Sequence, residues 1–184
     1  MAIHTIVDGW IHPGEKLMFK RAYLAIYMTL TFFLSTAFAE IAACVYSILT
    51  HSPFTNFPEL GLWFVRVIHG YFYNTQSLLM HANPHEYILG LGVHIIVAVL
   101  FAGMYILYLQ YILKTKPTLI NGLVFGLLLV VFPFLFELPS MGEGIMGIHS
   151  SGPVHVFFRV IIYHAFFGLG LGFGGILTRW IECR

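Results

Sequence analysis

The sequence predicts an all-α fold, a polytopic membrane protein of four transmembrane helices with a short helix in the outer interface. Apolar residues fill 59% of the 184 positions and charged ones 9%, and the mean hydropathy is +0.85. That composition lies well outside soluble globular usage. Crossing about 30 Å of hydrocarbon takes roughly 20 apolar residues per helix, and four windows reach that length: residues 22–49, 87–113, 118–136 and 156–178. No internal repeat or linker divides them, so a single domain over 1–184 is expected. A net charge of +1 leaves no basic patch able to neutralise phosphates, which argues against a nucleic-acid partner. The lipid bilayer is the partner this composition demands.

Basic residues orient the helices. Lys16, Lys20 and Arg21 precede the first window, Lys114 and Lys116 separate the second from the third, and Arg179 and Arg184 close the fourth. Only Arg66 and Arg159 fall on the other side. The positive-inside rule then makes both termini cytoplasmic in a plasma membrane, and turns the loops 50–86 and 137–155 outward. Ala37, Phe38 and Ala39 mimic a signal-peptidase site, but the apolar run continues through Ile41 to Leu49, so the first helix is expected to remain uncleaved. Cys44 and Cys183 belong at opposite faces, too far apart to pair within one chain.

Between the first two windows, residues 57–74 interleave Glu59, Arg66 and His69 with Leu60, Leu62, Trp63, Phe64, Val67 and Ile68. That pattern describes an amphipathic helix in the outer interface. Pro117 suits a first helical turn, and Pro133 is expected to kink the third helix. Gly168, Gly170, Gly172, Gly174 and Gly175 superficially suggest a phosphate loop. Such a fingerprint must follow a strand and open a helix; inside an apolar helix, small residues at this spacing serve close packing instead.

Three ionisable residues, Glu40, His94 and His164, sit inside three of these windows. At 1.5 Å per residue each lies about 10–13 Å from the outer end of its helix. An ionisable group at such depth is a functional-site candidate by default. Each also falls on a sensible face: Thr36, Glu40, Cys44 and Ser47 form one stripe, Gly90, His94, Ala98, Ala102 and Tyr105 a second, and His164, Gly168, Gly172 and Gly175 a third. The plain alternative is a structural hydrogen-bond cluster that ties three helices together.

Six of the ten histidines, His51, His69, His81, His85, His149 and His155, fall on the outer side. Imidazole, carboxylate, thiol and thioether together suit first-row transition metals, which makes Glu40, His94, His164, Cys44 and Met141 the candidate metal ligands. His81 and His85 have helical spacing, but Asn83 and Pro84 interrupt them. Glu137 and Glu143 flank a glycine-rich turn at the end of the third helix and could gather a cation at the bundle mouth.

From His94 onward the chain resembles a family of small bacterial inner-membrane proteins known only as domain of unknown function 2938. The resemblance rests on His94 with Phe101 and Ala102, on Lys116 to Leu119, Gly122, Gly126 and Leu127, on Phe132 to Phe134, on Pro139 and Met141 to Ile145, and on Arg159, His164, Phe167, Gly168, Gly170 and Leu171. It covers about half the chain. Leu138 and Ser140 depart from the pattern, which tends to Gln and Gly there. The resemblance implies four helices and an acid in the first of them, a place Glu40 takes where the family more typically has Asp. It implies no activity.

Three readings remain open from sequence. Glu40, His94 and His164 bind or conduct a cation, a transition metal or a proton, entering from the outer face. Alternatively His94 and His164 ligate a haem b between the second and fourth helices. The third reading is an accessory or assembly subunit, in a homo-oligomer or larger membrane complex, whose polar cluster only fixes helix register. A classical hydrolase is disfavoured because Ser150 and Ser151 lack a nucleophile elbow, and a di-iron bundle would need Glu-x-x-His motifs that the chain does not contain.

Overall fold

Helix α1 runs from Pro13 to Thr50, α2 from Phe57 to Ile68, α3 from Pro84 to Leu107, α4 from Leu119 to Leu129 and α5 from Pro153 to Glu182. The computed structural model describes residues 13–51, 57–73 and 84–182. Among the described residues, four helical stretches are long and apolar enough to cross a membrane: Tyr23–Thr50, His85–Leu113, Leu119–Ser140 and Pro153–Trp180. Each overlaps its predicted window, and the largest difference is in the third, which runs through to Ser140. His81 and Cys183 lie outside the described residues, so the spacing of His81 with His85 and the separation of Cys44 from Cys183 remain sequence expectations.

The third span is longer because Pro133 does not end it. Proline has no N–H to donate to Leu129, and the backbone accommodates the missing bond by widening into a π-turn over Pro133–Glu137, after which Leu138 N–H reaches back to Pro133 O. A short turn, Leu138–Ser140, completes the span. Glu137, expected in the outer loop, is therefore held on the helix, half-buried. A second π-turn, Tyr108–Leu113, extends α3 and stops at Lys114 in the left-handed conformation (φ 49°). Thr118 then caps α4 by accepting from Asn121 N–H at 3.0 Å.

Helix α5 is the centre of the bundle, and its glycines explain why. On one side Gly168 and Gly172 meet Gly122 and Gly126 of α4 backbone to backbone; on the other, Gly170 and Gly174 lie against Ser35 and Thr31 of α1. Two small-residue faces on one helix let two neighbours approach closely. The polar residues on the α1 side are satisfied locally: Ser35 Oγ donates to Phe32 O at 2.9 Å and Thr31 Oγ1 to Tyr27 O at 2.5 Å. Below this contact Ala39, Ala98, Ala102, Tyr105, Phe125, Phe167 and Leu171 form the main core.

Helix α2 is shorter than the predicted 57–74, and Tyr71, Phe72 and Tyr73 beyond it are exposed and irregular. It lies alongside the start of α3, with Gly61 on the backbone of Glu86 and Gly90 on the backbone of Phe57. That antiparallel glycine pairing carries Phe57 inward along α3. Trp63 Nε1 donates to Ser140 Oγ at 2.7 Å and fastens α2 to the end of the third span as well.

Candidate functional site

The buried face of α1 is the run Tyr27, Thr31, Ser35, Ala39 and Ala42, and Glu40 sits at its edge. The small Ala39 and Ala43 leave room for the carboxylate to turn inward. On α3 the predicted stripe does face the interior, since Gly90, Ala98, Ala102 and Tyr105 are all buried and His94 is partly so. The two ionisable groups meet, with His94 Nε2 at 3.3 Å from Glu40 Oε1.

The third partner is Tyr163. Its hydroxyl donates to Glu40 Oε1 at 3.1 Å and lies 3.0 Å from His94 Nε2. Tyr163 occupies the α5 face of Phe167, Gly170 and Gly174, at spacings of four, three and four, which is the face packed on α1. That stripe is present in the sequence, but a tyrosine in an apolar helix is a weaker signal than the ionisable His164 next to it. Phe57 closes the site with its ring centroid 5.3 Å from that of His94, edge to face. An α2 residue thus orients the imidazole.

His164 belongs to the neighbouring face, whose glycines pack on α4. Its Nδ1–H donates to Val160 O at 2.9 Å, which leaves Nε2 as its acceptor. It feels the charge of His94 and its ring packs against Tyr163 at 5.7 Å, yet it makes no hydrogen bond to Glu40 or His94. Cys44 is exposed on the outside of α1, so the Thr36, Glu40, Cys44 and Ser47 stripe does not turn inward as a unit. Met141 lies in the turn that follows the third span. Among the described residues, no three His, Cys, Asp or Glu side chains come together in a metal-binding arrangement.

A line of charge leads away from this site. Glu137 interacts electrostatically with His94, with Glu143 and with Arg159, and Glu143 in turn with Arg159 and Glu59. The turn carrying Glu143 is held by His149 N–H donating to Glu143 O at 2.8 Å. Gly142 and Gly144 supply its positive φ angles of 87° and 75°, a conformation that glycine adopts without penalty. Burial pushes the Glu143 carboxyl up from the ordinary value, against the opposing pull of Arg159, and Oε2 is buried without a hydrogen-bond partner among the described residues.

A carboxyl whose folded pKa is raised binds its proton more tightly in the folded state, so its contribution to stability is present below about pH 4.3, the unfolded value, and is lost as pH rises through the folded value. Glu143→Gln is therefore expected to leave the melting temperature unchanged near pH 4 and to raise it near pH 8. Thermal unfolding at the two pH values checks this.

Four membrane-length helices around an acid, a tyrosine and a histidine define a multi-pass membrane protein with a polar site inside its helical bundle. The chain belongs to the family described as Protein of unknown function (DUF2938), which matches residues 30–178. The match begins well before His94, so it takes in Glu40 together with His94, Tyr163 and His164. No curated protein and no solved structure matches the chain.

Proposed function

We propose that this protein handles a cation within the membrane, and that the proton fits the site best. The observation that carries the reading is one hydroxyl within hydrogen-bond reach of both a carboxylate and an imidazole. A proton on His94 Nε2 is one hydrogen bond from Tyr163, whose own proton is one hydrogen bond from Glu40. A concerted shift moves one proton from His94 to Glu40 and leaves the tyrosine neutral, so no buried phenolate has to form. Glu137, Arg159 and Glu143 provide polar groups between His94 and the glycine-rich turn, which supports access from that end. The basic asymmetry makes that end the outer one, with both termini cytoplasmic in a bacterial plasma membrane.

The proton is preferred to a metal ion because Cys44 is turned away and His164 is committed to another face. It is preferred to haem b ligation by His94 and His164 because His94 Nε2, the nitrogen that would bind iron, already faces Tyr163 and Glu40. The structural-cluster reading makes the opposite forecast for one substitution. Glu40→Gln keeps shape and hydrogen-bonding capacity but removes the anion. On the proton reading it brings proton flux in proteoliposomes down to the protein-free level, with the melting temperature unchanged or higher, because burying an amide costs less than burying a charge. Unchanged flux with equal or higher stability contradicts the proton reading.

A further inference from the structure

At the opposite end of the bundle, where α3 turns into α4, a cavity of about 180 Å³ lies among Tyr23, Tyr27, Gln110, Thr115, Pro117 and Arg179. We propose that this cavity binds an anionic phosphate group, with Arg179 as its charge partner. Among the described residues, the lining contains one charged residue, and it is a cation. Around it stand hydrogen-bond donors from two helices and a loop: the hydroxyls of Tyr23 and Tyr27 on α1, the amide of Gln110 at the end of α3 and the hydroxyl of Thr115. Among the described residues, no acid lines the cavity.

Local structure explains how these groups converge. The π-turn Tyr108–Leu113 and the left-handed Lys114 bring Thr115 back over the end of α3, where its N–H donates to Leu109 O at 3.2 Å. Gly175 lets the Tyr27 hydroxyl and Pro117 come close to α5, and Arg179 follows one turn further on. Tyr27 is only 8% exposed, so its ring is fixed while it interacts electrostatically with Arg179. A planar guanidinium with neighbouring hydroxyl donors matches the oxygens of a phosphate.

Depth selects the physical setting. The cavity residues lie within a few positions of Tyr23, Leu113, Leu119 and Trp180, the ends of the four membrane-length stretches. That is the level of lipid headgroups, where basic pockets between helices bind anionic lipid. Exposed Leu24 in the lining offers an apolar surface for an acyl chain. The shared chemistry is a phosphate, which a phospholipid headgroup or a free phosphate ion can supply.

The full chain, purified in mild detergent and mixed with phosphatidylglycerol or with phosphatidylcholine, is examined by native mass spectrometry. Parallel samples are melted with and without inorganic phosphate. Retention of phosphatidylglycerol over phosphatidylcholine, reduced at least about tenfold in Arg179→Gln, which loses the charge and the bidentate fork, identifies a headgroup site. Stabilisation by inorganic phosphate that Arg179→Gln abolishes, without lipid retention, identifies a free-ion site. Should Arg179→Gln fail to fold, Tyr27→Phe is read in its place, and it is expected to weaken the same binding. Wild-type protein that takes up neither probe, or a folded variant that binds both as the wild type does, overturns the proposal.

Discussion

Gly126→Val is expected to force α4 away from α5 and to cost roughly 1–3 kcal/mol or more, the usual range for overpacking. A Cβ at Gly126 would fall on the carbonyl oxygen of His164 and 2.7 Å from Gly168 Cα, and both neighbours are backbone on a helix that cannot yield locally. Gly92 provides the control. A Cβ there meets nothing within 4 Å, so Gly92→Val places the same side chain on a helix of similar apolarity without a clash. For a chain of this size a loss of 1 kcal/mol lowers the melting temperature by about 2–4 °C. Thermal unfolding of the two variants in one detergent should therefore separate them clearly. Equal melting temperatures would mean that the glycine contact does not hold the helices together.

The glycine contact was legible in sequence as far as its purpose, because glycines at helical spacing in an apolar run have packing as their natural use. Its division was not. Gly168 and Gly172 serve α4 while Gly170 and Gly174 serve α1, and only the placement of both neighbours reveals two faces. The four spans and the inward stripe of α3 were readable because hydropathy and a period of 3.6 act over many residues. The π-turn at Pro133 was not, since proline predicts a lost hydrogen bond without saying whether the helix ends, bends or widens. That single local choice keeps Glu137 on the helix and within reach of His94.

Equal depth led to Glu40 and His94, which do touch, but depth carries no rotational information. His164 has the same depth as its partners and points to another face, one residue round the helix from Tyr163. A tyrosine in an apolar helix gives little signal by itself, because its ring is as often core as site. Cys44 shows the same limit on α1: four residues from Glu40, it is exposed, since the buried face follows Ala39 and Ala42. α2 was found as an amphipathic segment, while its side-by-side contact with α3 depends on Gly61 and Gly90 meeting across a loop, which no local pattern encodes.

Tyr163→Phe is expected to slow proton transfer strongly with a minimal change in shape. It deletes the hydroxyl within reach of both Glu40 and His94 and keeps the ring that packs against His94 and His164. The direct contact of 3.3 Å between Glu40 and His94 remains, so the fold and the helix register should survive with little change in melting temperature. Proton transfer then loses its middle carrier. Raising the barrier by about 1.4 kcal/mol, close to the net worth of one hydrogen bond, makes the rate about tenfold slower. The direct measurement is dissipation of a pH gradient in proteoliposomes carrying an internal pH-sensitive dye, with the membrane potential clamped, compared among wild type, Tyr163→Phe and protein-free vesicles. The proton account predicts wild-type dissipation well above the protein-free vesicles and at least about a tenfold slowing in the variant; a wild-type rate no faster than protein-free vesicles, or a variant as fast as wild type, would contradict it.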